Sequence, residues 1–425
     1  MSGVCHIVGA GLAGLSTAVR LASAGCAVAL YEGAGQAGGR CRSYYDSKLG
    51  RTIDNGNHLI VSGNRSALSY LEEIGARDQM SGGLEACFPF VDLASGERWA
   101  VRPNSGPVPW WVLARDRRIP GTGLWDYLRA APLALSAARH SVADRVPGSG
   151  LMAERFWDPL TIAVMNAPAE SSSARLLWSV LRETFARGGA WCIPLFAEKG
   201  LGAAFVDPAL DHIRAAGGAI VLNKRLTGLT FLDGKVTALC FRDETVAVAP
   251  QDKVVLALSP AQLAAVMPGL AVPQQSGVIV NAHFVLERPV SPLPSPPFIG
   301  VLNAAVQWIF VRGDVVSITI SAAGVLGHDK KIEQEMLSLL WHEVIQALNM
   351  DEATEFVSGR IVTEKRATFD QSPEAAQKRP KTMTEFRNLV LAGDVVDTGL
   401  PATVEGAIRS GEAAADAILR NWGVA

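Results

Sequence analysis

The stretch that most limits how this chain can fold is residues 4–40, which opens Val4-Cys-His-Ile-Val-Gly-Ala-Gly-Leu-Ala-Gly. Val4, Ile7 and Val8 read as a short buried strand, and Leu12 to Ala24 carries the apolar spacing of a helix. Between strand and helix, Gly9, Gly11 and Gly14 form G-x-G-x-x-G. In that context the glycines permit a tight turn, a close backbone approach to a diphosphate, and packing of helix on strand. Leu12 and Ala13 then open the helix, whose N-terminus offers N–H donors and a partial positive charge. A second strand, Ala27 to Tyr31, ends at Glu32-Gly33. A carboxylate at that point is placed to accept both hydroxyls of an adenosine ribose, and it disfavours a 2′-phosphate. The pattern predicts an α/β fold with a Rossmann-like dinucleotide-binding domain.

A chain of 425 residues can build two domains with cores of their own. A net charge of −2 excludes a global field for nucleic acid. Cysteines 5, 26, 41, 87, 192 and 240 show neither C-x-x-C nor ligand spacing, and read as reduced, buried thiols of a cytoplasmic protein. No metal site is expected. G-x-S-x-G and H-E-x-x-H are absent as well. The first strand starts by Val4, so no signal peptide is expected before it. No apolar run reaches the ~18 residues that span a bilayer. Yet mean hydropathy is +0.20 and tryptophans number ten. An oily ligand, a membrane-facing surface or an Ala-rich core would each account for that.

After Glu32 the sequence runs Gly-Ala-Gly-Gln-Ala-Gly38-Gly39-Arg40. Here the chain resembles the flavin amine oxidase and phytoene desaturase superfamily, whose GR2-type FAD domain carries this second Gly-Gly-Arg turn. The resemblance implies noncovalently bound FAD, with Arg40 and the Gly39 backbone near its phosphates. Asp54 and Gly56 match the superfamily's D-x-G turn, which implies that Asn55, Gly56 and Asn57 run along the cofactor. His58 then either faces the substrate or is a structural group. Towards the other end, Leu389 to Asp394 is a strand ending at Gly393-Asp394, and Pro401-Ala-Thr-Val-Glu-Gly opens a last helix. An acid there suits ribityl hydroxyls, and a helix N-terminus suits the flavin pyrimidine, where negative charge gathers on reduction. The resemblance gives Asp394 the ribityl role, points the Val404 backbone N–H at a flavin carbonyl, and sets the Leu226 backbone against adenine. Thr403 stands where amine oxidases of the superfamily carry an aromatic wall, which lowers the case for amine oxidation.

Between these ends, Asn64 to Glu73 reads as a helix, and Phe88-Pro-Phe and Glu97-Arg-Trp as strands. Pro107 to Pro120 combines Trp110 and Trp111 with Arg115, Arg117 and Arg118, and Trp125 to His140 reads as an Ala/Leu-rich helix. That combination suits docking at a lipid headgroup layer, or else the basic face of a helical substrate domain. Helices are predicted near Phe156–Asn166, Ser173–Phe185 and Phe205–Ala216. Ala219–Leu222, Leu226–Leu232 and Val236–Phe241 are read as an antiparallel meander, and Lys253–Leu258 as a return to the parallel sheet. Gly277–Leu286 and Gln307–Ile320 read as strands of a second sheet, with a rigid loop at Pro289–Pro297. Lys331–Leu348 reads as a helix facing inward through Met336, Leu339, Leu340 and Ile345.

The segment from Phe156 to Glu170, together with Asp397-Thr-Gly-Leu-Pro-Ala-Thr, resembles the squalene-associated FAD-dependent desaturases, the hydroxysqualene dehydroxylases of bacterial hopanoid synthesis. That resemblance implies reductive dehydroxylation of a C30 isoprenoid, with hydride passing from reduced flavin N5 to a substrate carbocation. An electron donor for the flavin and a place at the inner face of the cytoplasmic membrane go with it. His58 and Asp397 are the candidate acids for the leaving hydroxyl. Two other functions stay open: oxidative desaturation of a carotenoid-type polyprenoid, and flavin-free binding of a lipidated partner, as in Rab GDP-dissociation inhibitors. The expected layout is an FAD domain from 1–85, 194–276 and 385–425, with a discontinuous α+β substrate domain from 86–193 and 277–384.

Overall fold

Strand β1 (Val4–Val8) is the middle of a five-stranded sheet, and a computed structural model of the chain describes residues 3–291, 294–323 and 330–421 around it. On one side β1 pairs with β2 (Ala27–Tyr31), which pairs with Ala219–Val221. On the other it pairs with Lys253–Leu256, which pairs with Leu389–Leu391. All four pairings are parallel, so the sheet needs cover on both faces and its strands are short apolar runs. Helix α1 (Leu12–Ser23) covers one face and lies against the last helix, Val404–Asn421. Their approach depends on Gly411, where a Cβ would come within 2.3 Å of the Ala13 carbonyl oxygen. The Ser16 and Thr17 hydroxyls also donate to Ile408 and Gly411 carbonyls across that contact.

The strand at Ala219–Val221 corrects the expected meander. It is the outer parallel strand of the first sheet, and the antiparallel meander is Leu226–Leu232, Lys235–Phe241 and Thr245–Ala247. An edge strand is half covered, so none of its three residues is buried and its pattern imitates a meander strand.

A second sheet has seven strands, in the order Ser358–Phe369, Gln275–Val285, Val315–Ile320, Trp308–Arg312, Phe298–Leu302, Phe88–Asp92 and Arg98–Val101. Helix Lys330–Leu348 packs on it through Leu337, Leu340, Trp341, Val344 and Ile345. Leu339, expected on the inner face, is 72% exposed, because it falls outside the arc those residues define. In the proline-rich loop, Pro292 and Leu293 lie outside the described residues.

The expected helix from Trp125 to His140 does not form. Helix α2 (Arg65–Glu73) is as read from the sequence, but the next one, α3, covers only Leu124–Leu128 and is followed by a tight 3-10 turn, Ala131–Leu135. Pro132 lacks the N–H that a continuing helix needs and its ring crowds the preceding turn. No disulfide joins the six cysteines; Cys87 and Cys240 are half-buried, short of the full burial expected of them.

Candidate functional site

The turn from β1 into α1 separates the glycines that the fold itself requires from the one that it leaves open. Gly9 has φ +104°, and a Cβ on Gly14 would stand 1.8 Å from the Gly9 carbonyl oxygen. A Cβ on Gly11, by contrast, would meet nothing within 4 Å. The space in front of Gly11 is therefore open, and the first turn of α1, at Leu12 and Ala13, has no side-chain cap. The second glycine turn lies alongside: the Gly38 N–H donates to the Ala10 carbonyl at 2.7 Å, and a parallel bridge joins Gly11 to Gly38. Gly38 and Gly39, at φ +102° and +55°, occupy backbone conformations that side chains resist. The result is a cradle of backbone donors at a helix N-terminus, which is how proteins hold a diphosphate.

Glu32 closes one end of that cradle. Its two carboxylate oxygens accept the Ala10 and Ala34 N–H groups, each at 2.8 Å, and each oxygen keeps a further lone pair. Gly33 follows, and the Lys224 N–H donates to the Glu32 carbonyl, which brings the start of the meander at Leu226 beside the Glu32-Gly33 corner.

At the other end, residues 40 and 394 meet. Arg40 grips Asp394 through both nitrogens, at 2.8 and 2.7 Å, and also donates to the Ala367 carbonyl. Burial pushes the Asp394 carboxyl up, but the Arg40 charge and hydrogen bonds outweigh it and hold the carboxyl below the usual range. The sequence treats these residues as separate cofactor contacts; the structure makes them partners. Gly393 is held by the Ser410 hydroxyl, which accepts its N–H at 2.8 Å. Thr403 accepts the Gly406 N–H at 3.0 Å, the bond of a helix cap, and Val404 begins the last helix.

Asn55, Gly56 and Asn57 lie where the first strands touch the second sheet. The Asn55 amide donates to Glu364, and Asn57 donates to the Thr319 hydroxyl at 3.0 Å and the Ile318 carbonyl at 3.3 Å. Asn281, buried in the sheet, donates to the Asn55 carbonyl. His58 borders a small cavity with Phe196, Leu201, Phe310, Asp54 and Arg312. Burial lowers its pKa; Asp54 opposes the shift and Arg40 reinforces it, so the imidazole favours the neutral form. Asp54 is engaged on every side: Ser43 at 2.5 Å, the Leu201 N–H at 2.9 Å and Arg312 at 2.8 Å. It holds the turn together.

The two candidate acids have different surroundings. Asp397 sits 49% exposed on the loop after Asp394, where it accepts the Gly399 N–H and stands 3.8 Å from Arg379. Arg379 was not singled out from the sequence. Its buried guanidinium donates to the carbonyls of Asp394, Val395, Val396 and Leu400 and lies over the Phe369 ring, so it sets the path of the loop between Asp394 and the last helix. Arg312 and Glu405 were missed too. Glu405 accepts the Ser66 and Ala67 N–H groups and thereby caps α2 from another part of the chain. Among the described residues no cluster could hold a metal ion, and no helix is long and apolar enough to cross a membrane.

The family model for flavin containing amine oxidoreductases matches residues 12–419. Among curated proteins, the chain is similar to the hydroxysqualene dehydroxylase of Sinorhizobium fredii, 41% identical over 97% of this chain and 98% of the relative. It is also similar to that of Zymomonas mobilis subsp. mobilis, 40% identical over 98% and 99%. The 15-cis-phytoene desaturase of Synechococcus elongatus is more distant, 23% identical over 97% and 95%. Among solved structures, the cyclohexylamine oxidase of Brevibacterium oxydans superposes with a TM-score of 0.69 at 18% identity, over 98% of both chains, a likeness of fold.

Proposed function

The chain belongs to the flavin containing amine oxidoreductase family, and we propose that it is an FAD-dependent dehydroxylase that converts hydroxysqualene to squalene. The observation that carries this reading is the likeness to hydroxysqualene dehydroxylases, 41% identity that runs the length of both chains. The geometry is compatible with the cofactor: an open cradle before Gly11, an acid at Glu32 with lone pairs to spare, and a second helix N-terminus at Val404. In our reading Gly9, Gly11, Leu12, Ala13, Gly14, Gly38, Gly39 and Arg40 surround the diphosphate, Glu32 and Gly33 the adenosine ribose, and Leu226 the adenine. Asn55, Gly56, Asn57, Gly393, Asp394, Thr403 and Val404 then border the flavin half. The same assignment divides the chain into a cofactor domain of 1–85, 194–276 and 385–425 and a substrate domain formed by the rest.

Bound FAD, once reduced, supplies the hydride that replaces the departing hydroxyl. The overall change is substrate alcohol plus hydride plus proton to hydrocarbon plus water, so the protein must deliver a proton and keep bulk water away. Phe196, Leu201 and Phe310 give the cavity beside Asn57 and His58 an apolar wall. His58, in that cavity, is the group we assign to carry the proton, in preference to exposed Asp397. Each turnover consumes a hydride, so a separate donor must reduce the flavin again. A C30 hydrocarbon partitions into bilayers, which puts the reaction at a membrane surface.

A single anaerobic turnover tests the reading. Photoreduced enzyme is mixed with hydroxysqualene, flavin absorbance is followed, and the lipid is extracted. Squalene formed in step with flavin reoxidation is the expected result. Flavin that stays reduced, with no squalene, refutes it.

A further inference from the structure

Residues 108–135 turn an unusual amount of apolar surface outward. Leu135 is 82% exposed, Trp125 75%, Leu113 63% and Trp110 51%, with Leu124 and Leu128 exposed on the same short helix as Trp125. Helix α3 has no buried residue at all. Loose packing is not the cause. Trp111, Val112, Ile119 and Leu133 from the same stretch are sunk in a core, and the Trp111 and Tyr127 rings meet edge-on with centroids 5.2 Å apart. The two turns are thus locked together, and the outward side chains are presented as a set.

The charge of the stretch is as distinctive as its hydropathy. Residues 107–140 hold five arginines (115, 117, 118, 129 and 139) against two aspartates (116 and 126), in a chain of net charge −2. Arg117 lies over the Trp110 ring at 5.2 Å, and Arg115, Arg129 and Arg139 are exposed. Indole rings beside guanidinium groups favour the boundary between headgroups and acyl chains, where the rings stay half apolar and the cations meet phosphate.

We propose that this face docks on an anionic phospholipid bilayer, with Trp110, Trp125 and Leu128 entering the headgroup boundary and the arginines engaging lipid phosphates. A second copy of the chain is the competing occupant, but two such faces would set arginines against arginines, whereas the bilayer offers the opposite charge. The purpose of docking rests on the isoprenoid reading above; the surface itself rests on exposure and charge alone.

Sedimentation with vesicles tests this without substrate. The full chain, FAD-loaded, is mixed with vesicles of phosphatidylglycerol and phosphatidylethanolamine, and separately with phosphatidylcholine alone. Binding to the anionic vesicles is expected, and a W110S/W125S/L128S variant should partition at least ten-fold less. An R115Q/R129Q/R139Q variant should lose the preference for anionic over neutral vesicles. The three apolar positions are exposed, so the variant should fold, and its turnover of detergent-dispersed substrate should match the parent. A parent that binds neither vesicle, or a triple variant that binds as the parent does, overturns the proposal. So does a parent dimer that the triple variant disrupts while neither binds vesicles. A parent that binds vesicles yet fails to make squalene in detergent refutes the function and leaves the surface standing.

Discussion

The bond between Arg40 and Asp394 fastens the start of the chain to its end, and its removal has a calculable cost. Asp394 is 5% exposed and Arg40 34%, and the contact is bidentate at 2.7 and 2.8 Å. Removing one member of a buried pair leaves the other charge desolvated, at about 3–5 kcal/mol. Arg40 keeps some solvent contact, so D394N should fall at the lower end, about 3 kcal/mol. R40M/D394L removes both charges and should be less destabilised than the sum of its single variants, R40M and D394L, by at least ~1 kcal/mol. Urea unfolding of the FAD-free proteins reads both quantities. The sign of the pH effect follows from the depressed carboxyl. Its stabilisation is fully present above the unfolded carboxyl's pKa and disappears as pH falls through the lower folded value. D394N should therefore flatten part of the acid limb of stability. A cost under ~1 kcal/mol for D394N, or strict additivity in the R40M–D394L cycle, would refute a buried coupled pair at this position.

Glu32→Ala removes the acceptor of two backbone N–H groups as well as the proposed ribose contact; FAD affinity measured by fluorescence should fall at least about ten-fold while circular dichroism still reports a folded chain. Unchanged affinity ends the ribose assignment. Gly11→Ala should fold normally, because its Cβ meets only open space, yet retain FAD poorly, whereas Gly14→Ala should lose stability with or without FAD, because its Cβ meets the Gly9 carbonyl at 1.8 Å. Equal melting temperatures for the two variants would contradict this geometry. His58 has a lowered pKa, so its protonated fraction, and with it single-turnover dehydroxylation, should rise as pH falls towards that value. His58→Gln should be slower and lose this dependence; an unaltered pH profile removes His58 as the proton carrier.

What could be read in the sequence was whatever the backbone itself does within a short window. Gly9, Gly11, Gly14 and Glu32 are legible because a turn of this shape tolerates few residue types and its strand and helix flank it directly. The strand at Ser358–Phe369 escaped notice because Glu364, Lys365 and Arg366 interrupt its apolar pattern on a partly exposed stretch. The Ala/Leu composition after Trp125 suggested a long helix, and Pro132 overruled it.

The remaining gap has a single physical source. Arg379 acts on four main-chain carbonyls, which any sequence provides, so nothing in its neighbours marks it. Asp54 is neutralised by Arg312, 258 positions along the chain, and α2 is capped by Glu405 rather than by a residue of its own. Partners at that separation become visible only once the two sheets are in place. The cradle that we assign to the cofactor is built mainly from backbone donors in two glycine turns, so it can be read locally. The cavity that we assign to the substrate is lined by side chains that Asn57, Phe196, Phe310 and Arg312 contribute from separate segments, so a short motif cannot encode it. Substitutions in the glycine turns should therefore change how tightly the cofactor is held, and substitutions on the far wall should change which hydrocarbon is accepted.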